Sequence, residues 1–140
     1  MTATCTSFLL DALRGGVHLP SDEYRLALIV PRPSKVLGAD TSRYVQLGPD
    51  ELPPALAYTR GGVILTGRQA MLVDGEPALA FDDAVWPMST FQAGGALIFN
   101  ASKDGRALCV LSFGGAFIGS GGPFRVPLRH GPIRLCAPGQ

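Results

Sequence analysis

Charge is scarce in this chain. Charged residues make up 16% of its 140 positions, against about 25% in a typical soluble domain. Twelve basic residues face eleven acidic ones, a formal net charge of +1. That balance argues against a nucleic-acid binder, which needs a clustered basic face. The densest basic group is Arg125, Arg129, His130 and Arg134, interleaved with Pro127 and Pro132. It reads as protection of strand edges or as a contact for an acidic partner surface. Cysteine is nearly as scarce. Cys5, Cys109 and Cys136 are too few and too dispersed for a disulfide framework, and their odd count points to folding in a reducing, intracellular setting. Met1–Thr6 carries no basic region, and the apolar stretch 7–13 is too short for a membrane span, so neither a secretory signal nor a membrane anchor is expected.

Reactive constellations are missing as well. The two histidines, His18 and His130, flank turns and read as solvated loop residues. No pair of Cys and His has the spacing of a metal site, so no metal or other cofactor is expected. Ser112 and Ser120 have Val110 and Ile118 two residues before them, so neither forms a G-x-S-x-G nucleophile elbow. The Gly-rich run 114–122 lacks the Lys-Ser/Thr of a phosphate loop and feeds no helix, so it reads as a structural turn. Asp50-Glu51 and Asp82-Asp83 are the acidic doublets. A pair of carboxylates serves as acid and base in many hydrolases, but adjacent residues on an extended chain point to opposite faces. Asp82-Asp83 is better explained as a turn that orders its backbone. Asn100-Ala101-Ser102 matches a glycosylation acceptor and reads as a coincidence in a turn. Trp86, the single tryptophan, has no aromatic or basic neighbours in sequence to form a stacking site and reads as core. The chain is therefore not expected to be an enzyme.

What is present is a regular alternation of short apolar runs and turns. The runs 63–66, 70–73, 78–81, 95–100 and 107–113 are separated by Gly61-Gly62, Thr66-Gly67, Asp74-Gly75-Glu76-Pro77, Asp82-Asp83 and Lys103-Asp104-Gly105. Strands at such intervals, cut by Gly- and Asp-rich turns, predict an all-β sandwich or barrel. Cys109 falls inside the last run, as a small buried hydrophobe.

One helix is expected, over 6–14, capped by Thr6 or Ser7 and ended by Gly15-Gly16. Being short, it must dock on the rest of the chain. A strand over 24–30 follows and stops at Pro31-Arg32-Pro33. The segment 31–57 holds Pro31, Pro33, Pro49, Pro53 and Pro54 and reads as an extended connection with one short strand near 44–47. After Gly114 comes a mobile Gly-rich extension carrying Phe117 and Ile118, then strands over 124–127 and 133–135. No long repeat and no heptad is present, so 1–140 is read as one domain.

Several of these motifs also occur together elsewhere. Gly61-Gly62 before a strand, Leu65-Thr66-Gly67, Phe81-Asp82-Asp83 leading to Val85-Trp86, Ser89-Thr90, Ala96-Leu97-Ile98-Phe99, Gly105 and Phe113-Gly114 follow a common order. In that order the chain resembles the capsid decoration (cement) proteins of tailed bacteriophages, those of Bordetella-type short-tailed phages above all. The resemblance covers about 90 of the 140 residues; the 31–57 segment and the extension after Gly114 depart from it. It implies a jelly-roll-like β-sandwich with a short N-terminal helix, a homodimer made in the bacterial host cytoplasm and bound outside an icosahedral shell. Its partner would be the major capsid protein, with no nucleic acid or membrane involved.

The contact residues expected on this reading are Phe8 and Leu9 of the helix, with Phe117, Ile118 and Phe124 of the extension. The alternative readings are a head–tail junction or tail protein, which would assemble as rings, and a carbohydrate-binding or hydrolytic sandwich. The last would need exposed aromatics and a working carboxylate pair.

Overall fold

A computed structural model describes residues 2–54, 58–86, 91–118 and 123–134, with backbone alone for Thr2, 114–118 and Arg134. The Ser89-Thr90 step, residues 119–122, Cys136 and the end of the last expected strand lie outside the described residues, as do the side chains of Phe117 and Ile118.

The chain is mostly β, and every described strand pair is antiparallel. Strand β1 (Thr2–Thr4) leads into helix α1 (Thr6–Arg14), and β2 (Tyr24–Ile29) follows. After a long connection come β3 (Val63–Ile64), β4 (Gln69–Val73), β5 (Glu76–Ala80) and β6 (Ala84–Trp86). Then β7 (Gln92–Asn100), β8 (Arg106–Ile118), β9 (Phe124–Val126) and β10 (Ile133–Arg134) complete the order. They form three sheets: β1-β8-β7-β2-β3, β10-β5-β4 and β6-β9. One contiguous apolar core joins residues of all three. Strand β7 lies between β8 and β2, and all of it but Gln92 and Gly94 is buried, as a strand covered on both faces requires.

The turns explain the pairing. Asp74 and Gly75 both have positive φ, 52° and 80°, the signature of a two-residue type I′ hairpin. They set the Val73–Glu76 register of β4 and β5, so Glu76 and Pro77, expected as part of the turn, belong to β5. Pro77 is tolerated because, among the described residues, β10 pairs with Leu79 and Ala78 and not with the proline. At the β7–β8 turn the Asn100 side chain accepts from the Ser102 amide, and Asp104 and Gly105 take the left-handed backbone. Gly62 is required by close approach: a Cβ there would stand 2.0 Å from the Leu26 carbonyl oxygen.

Helix α1 has the predicted bounds and ends at Gly15, whose N–H donates to the Asp11 carbonyl. It docks against β8. Its N-cap is Cys5 rather than Thr6 or Ser7, and no side chain caps it. The expected short strand near 44–47 is instead a 3₁₀ segment, Tyr44–Asp50, kinked at Gly48. Tyr44 is drawn inward there, stacked on Phe99 with ring centroids 4.4 Å apart. The segment just after it closes the side of β2 that the two-residue β3 leaves bare. Val30 N–H donates to the Asp50 carbonyl and Leu52 N–H to the Leu28 carbonyl. The Gly-rich stretch does not begin as a free extension, since β8 runs through it as far as Ile118, with Phe117 paired to Ala93.

Candidate functional site

Three places in the fold gather polar or aromatic groups, and a fourth is a cleft. The first is built on Glu51, which is 2% exposed. Tyr44 Oη donates to its Oε1 at 2.5 Å, Tyr58 Oη to its Oε2 at 2.6 Å, and the Gly61 amide to Oε2 at 2.8 Å. The Tyr58 oxygen in turn accepts from the Leu28 amide at 3.1 Å. Burial and the hydrogen bond to Glu51 raise both phenols, Tyr44 to about 12 and Tyr58 higher still. Every donor and acceptor faces another inside the chain. The cluster is a clasp between the long connection and β2, with the Glu51 carboxylate at its buried centre.

The second is a relay beneath α1. Asp11 accepts from Arg106 Nη1 at 3.0 Å and lies 3.1 Å from His18 Nε2. His18 Nδ1 lies 3.1 Å from Asn100 Nδ2. The amide orientation follows from its other bonds: Asn100 Oδ1 accepts from the Ser102 amide and Nδ2 donates to Asp22. His18 Nδ1 is therefore the acceptor, and Nε2 carries the proton donated to Asp11. The imidazole is 5% exposed, not solvated as its place beside a turn suggests. Burial lowers its pKa, partly offset by Asp11. Burial would raise Asp22, but bonds from Asn100, Lys103 and the Leu19 amide hold it down at about 2. With both ring nitrogens engaged, His18 has none left to take a proton from a bound molecule. His130, by contrast, is exposed as expected.

The acidic doublet Asp82-Asp83 ties loops together. Asp82 Oδ2 accepts from Thr66 Oγ1, while Asp83 accepts from the Leu128 amide and from Arg125. The doublet orders neighbouring segments rather than its own turn. The other doublet divides similarly: Asp50 accepts from the Ser34 amide and hydroxyl, and Glu51 turns inward. Cys5 and Cys109 are buried, and burial pushes the Cys5 thiol up to about 12 and Cys109 well above its usual range. Among the described residues no three His, Cys, Asp or Glu side chains gather as a metal site would require. Among them, too, no helix is long and apolar enough to cross a membrane.

The third is aromatic. Trp86, Tyr58, Phe91, Phe124 and Phe113 meet edge-on or tilted, with centroids 5.3 to 6.4 Å apart. Trp86 is core, as its sequence setting suggests. Phe124 belongs to the same cluster, and Phe8 packs tilted on His18. Both rings, expected at a contact surface, are buried in the chain's own core, while Leu9 is half-buried.

Comparison with known proteins returns no matching family model, curated protein or solved structure. The remaining guide is the surface. Large apolar side chains stand open on it: Val36 is 98% exposed, Leu13 86%, Val45 76% and Leu72 72%. A cleft of about 240 Å³ opens between α1 and the β10-β5-β4 sheet. Phe8, Asp11, Ala12 and His18 line one side; Arg68, Ala70, Pro77, Leu79 and Ile133 line the other. Leu13 and Leu72 carry no sequence signal of exposure, because each belongs to a run that reads as an ordinary buried face.

Proposed function

We propose that this chain is a virion structural protein that binds the outer surface of an icosahedral capsid and stabilises contacts between major capsid subunits. The reading begins from the likeness of its motifs to phage cement proteins. The observation that carries it is the contrast between interior and surface. Asp11 and His18 bond each other and Glu51 is bonded by Tyr44 and Tyr58 inside the chain, while Leu13, Val36, Val45 and Leu72 stand open on a chain with 16% charge. Such a molecule acts through contact area.

On this reading the fold is a jelly-roll-like sandwich, used as a homodimer on the capsid exterior. Many copies on a symmetric lattice gain avidity from weak individual contacts. A ligand that binds only the expanded, assembled shell stabilises that state by mass action.

The test is co-sedimentation of the purified chain with expanded capsids that lack it. Saturable binding at a fixed ratio to the major capsid protein is expected, with a dimer in free solution. No binding, or hexamers or larger rings in solution, would overturn the proposal.

A further inference from the structure

The cleft beside α1 is only half filled. Ala70 pairs with Leu79, and Leu79 with Ile133, so these three form one row on one face of the β10-β5-β4 sheet. Leu72 and Pro77 form the next row on that same face, since side chains alternate along a strand. Phe8 and Ala12 of α1 roof the cleft over the first row, where Leu79 and Ile133 are buried. Over the second row none of the described residues lies: Leu72 and Pro77 are exposed, and so is Ala70 at the boundary.

Charge marks the other end. The Arg68 Nε is buried without a hydrogen-bond partner, and its guanidinium carbon lies 5.6 Å above the Tyr24 ring. Arg68 makes no ion pair among the described residues. The carboxylate on the opposite wall, Asp11, is already engaged by Arg106 and His18. Tyr24 takes a side-chain hydrogen bond from Arg68, but among the described residues no carboxylate pairs with it, so Arg68 is the cation left without a counter-charge in the cleft. A carboxylate is the strongest complement to a guanidinium.

We propose that this cleft docks an acidic peptide segment of a partner protein, with a carboxylate on Arg68 and an apolar side chain over Ala70 and Leu72. The volume of about 240 Å³ equals that of about eight waters at about 30 Å³ each, enough for one or two side chains of an extended segment. A nucleic acid would need a line of cations, whereas the cleft offers one. As the grip of a shell-binding protein the inference rests on the function proposed above; as a peptide site it is tested without shells.

The probe is acetyl-Glu-Ala-Leu-amide, titrated into the full ¹⁵N-labelled chain. Saturable shifts are expected at Arg68, Ala70, Leu72 and Ala12, weakened at least tenfold by the Gln counterpart of the peptide and by Arg68→Met. Leu72→Glu, at an exposed position that leaves the core intact, should weaken them as much. Four results would overturn the proposal: no shifts, equal shifts with the Gln peptide, equally strong binding of hexanoate, or shifts at the same residues on concentrating the chain alone. The last would give the cleft to a second copy. A chain that co-sediments with shells but ignores the peptide loses this proposal only, and one that takes the peptide but ignores shells loses the shell reading.

Discussion

Replacing Tyr58 with Phe should cost this fold far more than one hydroxyl group suggests. The Tyr58 oxygen does two jobs in the core: it donates to Glu51 at 2.6 Å and accepts from the Leu28 amide at 3.1 Å. That amide sits on a fully buried residue of β2, beyond the last residue paired with β3. Removing the oxygen strips one donor from a buried carboxylate, a bond worth about 1.5–3 kcal/mol, and orphans a buried N–H at about 1–3 kcal/mol. The sum is about 2.5–6 kcal/mol, a large part of the roughly 5–15 kcal/mol that holds a domain together. In a chain of this size that corresponds to a fall in Tm of about 8–20 °C.

Urea unfolding followed by circular dichroism measures it, with Trp86 fluorescence as a second probe, the indole being 6.4 Å from the Tyr58 ring. Glu51→Gln and the double variant close a double-mutant cycle, in which a coupling of at least about 1 kcal/mol is expected between touching residues. A Tyr58→Phe loss below about 0.5 kcal/mol, or additive single losses, would refute the picture of Glu51 as a clasp.

Four further outcomes follow from the same structure. Gly62→Ala forces a Cβ to 2.0 Å from the Leu26 oxygen at a φ of +77°; its urea midpoint should fall by the equivalent of more than about 3 kcal/mol. Gly75→Ala, at a similar φ with nothing nearby, should lose only about 1–2 kcal/mol, the cost of left-handed backbone. Stability should fall on acidification in two windows. The neutral form of His18 is favoured in the fold, so its contribution is complete above about pH 6.5, the ordinary histidine value, and is lost as pH drops below it. That window should vanish in His18→Gln. A second loss, from Asp22 held at about 2, begins only below its ordinary value of 3.8, and urea midpoints across pH separate the two. Finally, in a chain carrying Cys136→Ser, a thiol reagent at pH 8 should label neither Cys5 nor Cys109 until urea is added, because burial disfavours both thiolates.

Much of the fold was legible in the sequence because its turns are chemically explicit. Asp74-Gly75 and Asp104-Gly105 sit at positive φ between apolar runs, and Gly15 stops α1 at a positive φ of 73° that glycine takes without strain. What sequence reasoning missed depends on partners far along the chain. Tyr44-Val45-Gln46-Leu47 has strand-like composition, yet stacking of Tyr44 on Phe99 draws it inward, and Gly48 then kinks the 3₁₀ segment. Glu51, beside Asp50 and ahead of two prolines, looks solvated until the chain folds back and brings Tyr44, Tyr58 and the Gly61 amide onto one carboxylate. His18 is hidden by the same logic, since Asn100 reaches it from 82 residues away. The exposed Leu13 and Leu72 were illegible for the opposite reason: an apolar residue in an apolar run gives no sign that the face above it is empty.

The central claim, that this chain works by covering a virus shell, is tested most directly by imaging expanded capsids after incubation with it, alongside untreated shells. The account predicts added density outside the shell, repeated at symmetry-equivalent positions over the junctions between capsid subunits. Unchanged shells, or density confined to a single vertex where a tail would attach, would contradict it.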